Sequence, residues 1–300
     1  MTPLAVLAVG EAMVELSASD EGGLWHLGYA GDTLNTAWYL RRLLPADQAI
    51  GYLTRLGRGG FSRRLNDFIF DAGIVTDHVS TDPMREVGLY AIDLSAGERS
   101  FTYWRGQSAA RGLADDPEAL ARAFEQAGLI YLSGITAAIL PPEGRDNLAA
   151  ALTAARAKGA RVVFDTNIRA RLWPDHATLR AQITRFAGLA DLVLPSLDEE
   201  TAHFGDATPQ DCIARYLAAG AGQVVVKNGG GPVHYAGAEG EGCVAGLPRI
   251  QPVDTTAAGD SFNAGYLAAR LTGQDIATAI RAGHAVAQRV ISARGALVEI

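Results

Sequence analysis

The sequence predicts an α/β fold on a mainly parallel central sheet, with a small separate β-structure in its first third. Three observations carry this. Between residues 129 and 227, short apolar runs alternate with helical patterns. Such alternation implies a parallel sheet covered on both faces. The runs Gly88–Leu94 and Arg99–Trp104 differ in kind: they alternate, are rich in aromatics, and are joined by Ser95-Ala96-Gly97-Glu98, a hairpin signal. A length of 300 residues, 48% of them apolar and 20% charged, suits one large domain with a sizeable core.

In chain order, Leu4–Val9 reads as a first strand ending at Gly10-Glu11, and Met13–Ser17 as a second. Leu34–Leu44 has helical spacing, with Asp32 as its expected cap. Ile50–Arg55 reads as a strand and Ser62–Asp71 as a helix. After the hairpin come a strand at Leu129–Ser133, a helix at Gly144–Lys158 and a strand at Arg161–Asp165. A helix at Thr178–Ala187, a strand at Leu192–Pro195, a helix at Asp211–Ala219 and a strand at Val224–Lys227 continue the alternation. Gly229–Gly246 is expected to hold an antiparallel hairpin, and the last sixty residues to be mainly helical.

Composition narrows the function. A formal net charge of −7 argues against a general nucleic-acid binder. No apolar run reaches the length of a membrane span, and the N-terminus reads as a strand and not a signal peptide. Cys212 and Cys243 lack metal-type spacing, so a reduced, cytoplasmic protein is expected. There is no G-x-x-x-x-G-K-[ST], no G-x-G-x-x-G after the first strand, and no His/Cys cluster.

The most informative stretch is Asp254–Gly265, DTTAAGDSFNAG. Ala257, Ala258 and Gly259 carry almost no side chain, so their backbone can approach a ligand closely. A helix starting there leaves N–H groups without intrahelical partners and adds partial positive charge, which makes an anion site. Asp260 then sits beside the anion, where a carboxylate suits removal of a proton from a hydroxyl that attacks phosphorus. The plainer reading is a capped helix with a favourable first-turn charge.

The full string resembles the C-terminal signature of the phosphofructokinase-B/ribokinase family of sugar kinases, with Ala257 in place of the first glycine. AGDTLNTAWYL, Ala30–Leu40, resembles its N-terminal signature, in wording closest to the 2-keto-3-deoxygluconate kinases. The resemblance implies a ribokinase-like three-layer sandwich spanning 1–300 as one kinase domain, with a β-sheet lid from about 11–31 and 86–108. It also implies ATP and Mg²⁺, and leaves room for a monovalent cation.

The remaining expectations attach to single residues. Gly31 would let the backbone approach a substrate, and Asp32 and Asn35 would face its hydroxyls, since carboxylate and amide groups bond paired hydroxyls. Tyr103 and Arg105 share parity on their strand, and Tyr90 in the preceding strand could face the same side. An arginine between aromatics suits a carboxylate better than a neutral sugar. FDTNIRARLW, Phe164–Trp173, follows a strand end, where ligands bind in open α/β sheets. Asp165, Asn167 and Arg169 are spaced to alternate toward the cleft; the family's D-x-N-x-R run there makes Arg169 a substrate or phosphate contact, while Arg171 reads as a surface residue. Ser196 and Glu199 form a capping-box pattern; the resemblance makes Ser196 a nucleotide contact and Glu199 an organiser of Mg²⁺ through water. Lys227, Gly229 and Gly231, with Ala257 and Gly259, are the nucleotide-loop residues it implies. His284 stands where many relatives place an adenine contact, and otherwise reads as a solvent-facing helical histidine.

The expected activity is ATP-dependent phosphorylation of the terminal hydroxyl of 2-keto-3-deoxygluconate. Asp260 would be the base and the N–H groups of Ala257, Ala258 and Gly259 the anion hole. The partners are a sugar acid and ATP, with neither nucleic acid nor membrane, in a homo-oligomer. Another acceptor, as in fructokinase or ribokinase, is the alternative; a non-catalytic sugar-binding protein would have no need of the base.

Overall fold

The computed structural model describes residues 3–19, 23–95 and 98–300. The chain opens with β1 (Leu4–Val9), β2 (Met13–Ala18), β3 (Trp25–Ala30) and α1 (Asp32–Leu43). There follow β4 (Ile50–Leu56), α2 (Gly60–Asp71), β5 (Val79–Thr81), β6 (Gly88–Ser95) and β7 (Glu98–Trp104). Two residues of the expected hairpin turn, 96 and 97, lie outside the described residues. The middle of the chain comprises α3 (Pro117–Phe124), β8 (Ala127–Ser133), α4 (Gly134–Ile139), α5 (Pro142–Ala157), β9 (Arg161–Asp165) and α6 (His176–Gly188). It ends with β10 (Leu192–Val193), α7 (Leu197–Phe204), α8 (Pro209–Ala218), β11 (Gln223–Val226), β12 (Val233–Gly237), β13 (Gly242–Val244), α9 (Ala258–Leu271) and α10 (Ile276–Ile291).

The large sheet has the order β13-β12-β11-β10-β9-β8-β1-β4-β5. Its pairs from β11 to β5 are parallel; β12 and β13 join antiparallel, as the glycine-rich segment leads one to expect. Alternate residues of the strands feed two cores. Leu7, Val9, Leu132 and Phe164 pack with α3, α5, α6 and α8 on one face. Val6, Ala8, Tyr131 and Val163 pack with α1, α9 and α10 on the other. This is the three-layer ribokinase-like sandwich. β1 lies between β4 and β8, so the chain leaves it toward one edge and later returns to build the other. The carboxyl ends of β1, β8 and β9 therefore border a crevice at a topological switch point, where ligands bind in open α/β sheets.

The close approach of α9 and α10 rests on small residues. A Cβ at Gly283 would stand 2.6 Å from the Phe262 carbonyl oxygen, and one at Gly265 would stand 2.9 Å from Gly283 Cα. α3, which apolar spacing alone does not mark, starts on a strong local signal: Asp116 accepts from the N–H of Glu118 and of Ala119, each at 3.0 Å, with Pro117 as first helical residue.

The second sheet has the order β3-β2-β6-β7, with β2 and β6 parallel and both outer pairs antiparallel. Register sorts its faces. Glu15, Tyr90 and Tyr103 lie opposite one another across three strands, and the same face carries Met13, Gly88 and Arg105. The other face carries Trp25, Leu27 and Trp104, which are 45%, 42% and 59% exposed. Among the described residues, no helix is long and apolar enough to cross a membrane.

Candidate active site

α9 begins within one residue of the expected start. Ala258 is its first helical residue and Asp260 lies in its first turn. The residue before the helix, Ala257, has φ 59° and ψ 16°. This is the left-handed region, which costs an L-residue with a Cβ roughly 1–2 kcal/mol. The Ala258 N–H turns back into the preceding loop and donates to the Thr255 carbonyl at 3.2 Å. The expected three-donor hole is thus reduced to Ala257 and Gly259 in this conformation. A Cβ at Gly259 would meet only Lys227 Nζ, at 3.6 Å, so that side of the turn is open.

The open side faces a cavity of about 860 Å³. Six of the residues expected at a nucleotide, Ser196, Lys227, Gly229, Gly231, Gly259 and His284, line it together. Asp198, Arg249 and Gln288 are among its other polar residues and were not singled out by sequence. His284 is not solvent-facing: it is 8% exposed, and its Nε2 lies 2.7 Å from the Pro248 carbonyl, which can only accept. The ring proton therefore sits on Nε2.

On the other side of the α9 turn, three carboxylates gather. Asn35 Nδ2 donates to Asp260 Oδ2 at 2.8 Å. Asp32 is not the cap of α1: it is the first helical residue, after Gly31, and its Oδ2 accepts from Ser133 Oγ at 2.5 Å and from Asn167 Nδ2 at 2.8 Å. Tertiary donors take the carboxylate that a local reading gives to the helix N-terminus. Asp165, at the end of β9, accepts from Lys227 Nζ at 2.9 Å and from Asn263 Nδ2 at 2.8 Å. Lys227 Nζ also donates to Asn263 Oδ1 at 3.3 Å. Burial, and next the Asp32 charge, push the Asp260 carboxyl well above the usual carboxylate range; the Asn35 bond opposes them. Asp32 is raised as well, chiefly by burial.

Gly31 has to be small for a reason that lies within the chain itself. A Cβ there would collide with the Glu11 carbonyl oxygen, so the glycine is demanded by the chain's own backbone where β2 and β3 join the large sheet.

Tyr90 and Tyr103 do stack, with ring centroids 5.6 Å apart, and Tyr90 donates to Glu15. Arg105 is 9% exposed and ion-paired with Glu11, which is 1% exposed. Arg169 is bound to Glu199 at 2.5 Å. Glu199 also accepts the Ile168 N–H at 2.9 Å. The capping-box reading of Ser196 and Glu199 is therefore corrected: Ser196 precedes α7 but makes no side-chain cap bond, and the Glu199 carboxylate is taken by the β9 loop. Glu200, Asp206 and Cys212 could together bind a cation, but Arg215 already holds both carboxylates, at 2.7 and 2.5 Å.

Sequence reasoning set Asp165 toward the cleft, with Asn167 and Arg169, but missed Asn263, Ser133 and Glu11 as members of this constellation.

Comparison with known proteins agrees with this fold. The model of the pfkB family carbohydrate kinases matches residues 4–299. The 2-dehydro-3-deoxygluconokinase of Escherichia coli (strain K12) is 39% identical over 301 residues, covering 98% of this chain and 96% of that one. A crystal structure of a PfkB protein from Polaromonas sp. JS666 superposes with a TM-score of 0.84 at 31% identity, over 96% of both chains. A fructokinase from Xylella fastidiosa solved with bound ATP does so with a TM-score of 0.83 at 26% identity, over 97% of this chain and 93% of that one.

The left-handed alanine yields a prediction. Ala257→Gly should stabilise the protein by about 1 kcal/mol, since glycine adopts this backbone without penalty. Thermal unfolding should show a small rise in Tm. An unchanged or lower Tm would mean that the turn is not strained.

Proposed function

Because the chain belongs to the pfkB family of carbohydrate kinases, we infer that it transfers the γ-phosphoryl group of ATP to the terminal hydroxyl of 2-keto-3-deoxygluconate. The observation that carries the reading is the placement of Asp260. Its buried carboxylate lies in the first turn of α9, and the cavity opens on the opposite side of that turn at Gly259. A hydroxyl bonded to Asp260 is thus aimed at a phosphoryl group resting on the helix N-terminus.

The residues divide the work. Asp32 and Asn35 position the acceptor's hydroxyls. Asp260 takes the attacking hydroxyl's proton, and its raised pKa makes it a stronger base than a surface carboxylate. The N–H groups of Ala257 and Gly259, with the Lys227 ammonium beside them, stabilise charge on the transferring group. Asp165 and Asn263 hold that ammonium in place. The glycine-rich segment Gly229–Gly231 and His284 accommodate the rest of the nucleotide. The donor set also suits Mg²⁺: Asp198 lines the cavity and would hold the ion, while Glu199 would act through water once released by Arg169. The ion neutralises phosphate charge when bound. The four-stranded sheet serves as the lid of this single kinase domain, excluding water from the transfer. The basic groups beneath it, Arg105 and Arg169 among them, support a sugar acid over a neutral hexose, and the E. coli relative is named for that acid.

We assign the exposed face of the lid, with Trp25, Leu27 and Trp104, to contact with a second copy of this chain. Large exposed apolar patches mark interaction surfaces. Light scattering should return a dimer that Trp104→Glu dissociates; a monomeric wild-type protein would remove the assignment.

Asp260→Asn keeps the size and the Asn35 contact but cannot take a proton. It should lower kcat roughly a hundredfold or more while ATP still binds. The wild-type pH profile should fall on the acid side, as protonation disables the base, and should do so above the ordinary carboxylate range. Asp32→Asn removes the like charge and should move that limb to lower pH. Near-normal turnover by a folded Asp260→Asn protein would defeat the assignment.

The acceptor is settled by kcat/KM for 2-keto-3-deoxygluconate against fructose and ribose. A clear preference for the acid is expected. Better use of fructose or ribose leaves only the broader sugar-kinase reading.

A further inference from the structure

The residue in front of α9 has to be held where it is. Ala257 lies at φ 59°, and an L-residue stays in such a conformation only where its surroundings over-determine it. Part of the restraint is local. Asp254 Oδ1 accepts from the Thr256 N–H at 3.0 Å and from the Thr256 hydroxyl at 2.7 Å. The rest comes from the segment after α10. Residues 292–300 form neither helix nor strand, yet they are anchored one after another. The Gly295 N–H donates to Asp254 Oδ2 at 2.8 Å. Ala296 is 4% exposed and clusters with Met13, Ala30 and Tyr90, and Ala257 packs against the same cluster. Leu297 and Val298 pack against the core beneath α1, α9 and α10. The segment is a strap between the root of the four-stranded sheet and the α9 turn.

One side chain clamps this strap. Tyr39 of α1 is fully buried. Its hydroxyl donates to the Ala296 carbonyl at 2.8 Å and accepts the Val298 N–H at 3.0 Å. Burial pushes its pKa up to about 12, so the donor proton is retained. The clamp acts directly after Gly295, the residue bonded to Asp254. Tyr39 stands four residues beyond Asn35 and so on the same face of α1. That face also fixes the base: Asn35 donates to the Asp260 carboxylate at 2.8 Å and Thr36 Oγ1 to the Asp260 carbonyl at 3.2 Å. One helix face therefore sets both halves of the turn, Asp260 directly and Ala257 by way of the strap.

Resting on the reading of the α9 turn as the phosphoryl-transfer site, we propose that Tyr39 is a positioning residue for that transfer. By pinning the strap it keeps Asp254 and Ala257 in the conformation that presents the Ala257 and Gly259 N–H groups. Without the hydroxyl the strap loosens, the alanine relaxes toward the conformations open to an L-residue, and the donors lose their alignment. Tyr39 is enclosed by the protein and reaches neither substrate. The loss therefore falls on kcat and leaves KM almost unchanged.

The test is a double-mutant cycle on the intact chain. Wild type, Tyr39→Phe, Ala257→Gly and the double variant are compared for kcat, for KM of ATP and of 2-keto-3-deoxygluconate, and for Tm. Phenylalanine keeps the buried ring and removes only the hydroxyl. Loss of a hydrogen bond corresponds to roughly a twofold to tenfold change. Tyr39→Phe should lower kcat by that factor, with both KM values nearly constant. On the Ala257→Gly background the loss should be smaller, because glycine holds the left-handed turn without help. A role in folding alone would lower Tm alike on both backgrounds and show no such difference in kcat. Amide hydrogen exchange across residues 293–298 should quicken in Tyr39→Phe. An unchanged kcat, an equal factor on both backgrounds, or unchanged exchange would each overturn the assignment to Tyr39 while leaving the kinase reading intact. A wild-type protein that transfers phosphate from ATP to no sugar would overturn that reading and this assignment with it.

Discussion

The site depends on keeping three carboxylates buried at one end of the sheet. Asp32, Asp165 and Asp260 come from α1, β9 and α9; the charge of Asp165 raises the cost of ionising Asp32, and the charges of Asp32 and Asp165 raise that of ionising Asp260. The structure answers this with a separate partner for each. Asn35 donates to Asp260, Ser133 and Asn167 to Asp32, and Lys227 and Asn263 to Asp165. Lys227 is the cation directly bonded within the group, and it is spent on Asp165, away from the base. Asp260 therefore keeps a high proton affinity, while the ammonium still stands beside Gly259, where negative charge has to be accommodated.

How much of this could be read in advance depended on how local the determinant is. The start of α9 was legible because DTTAAGD carries its small residues, its turn and its acid within seven positions. The shared face of Tyr90, Tyr103 and Arg105 followed from strand parity alone, and the register bears it out. The cap readings of Asp32 and of the Ser196–Glu199 pair failed for a common reason. Both assumed that a polar side chain at a helix start serves the helix, whereas β8 and the β9 loop supply competing partners. No local pattern announces the contact between Lys227 and Asp165, which are 62 residues apart and meet only when β9 and β11 flank β10. β3 was not marked because WHLGYA alternates weakly and includes a glycine, although its outward aromatic and leucine are part of the lid's apolar face.

The allocation of arginines follows from the same electrostatics. A cleft with three carboxylates repels an anionic acceptor unless positive charge is nearby, and a buried guanidinium without a partner is costly. Arg105, almost fully buried, meets the second demand through Glu11. Arg169 is partly exposed and tied to Glu199, a bond that also fixes the β9 loop through the Ile168 N–H. Both guanidinium groups thus have their charge matched within the protein. An anionic acceptor that reaches either one meets an ion pair, which it has to share or displace.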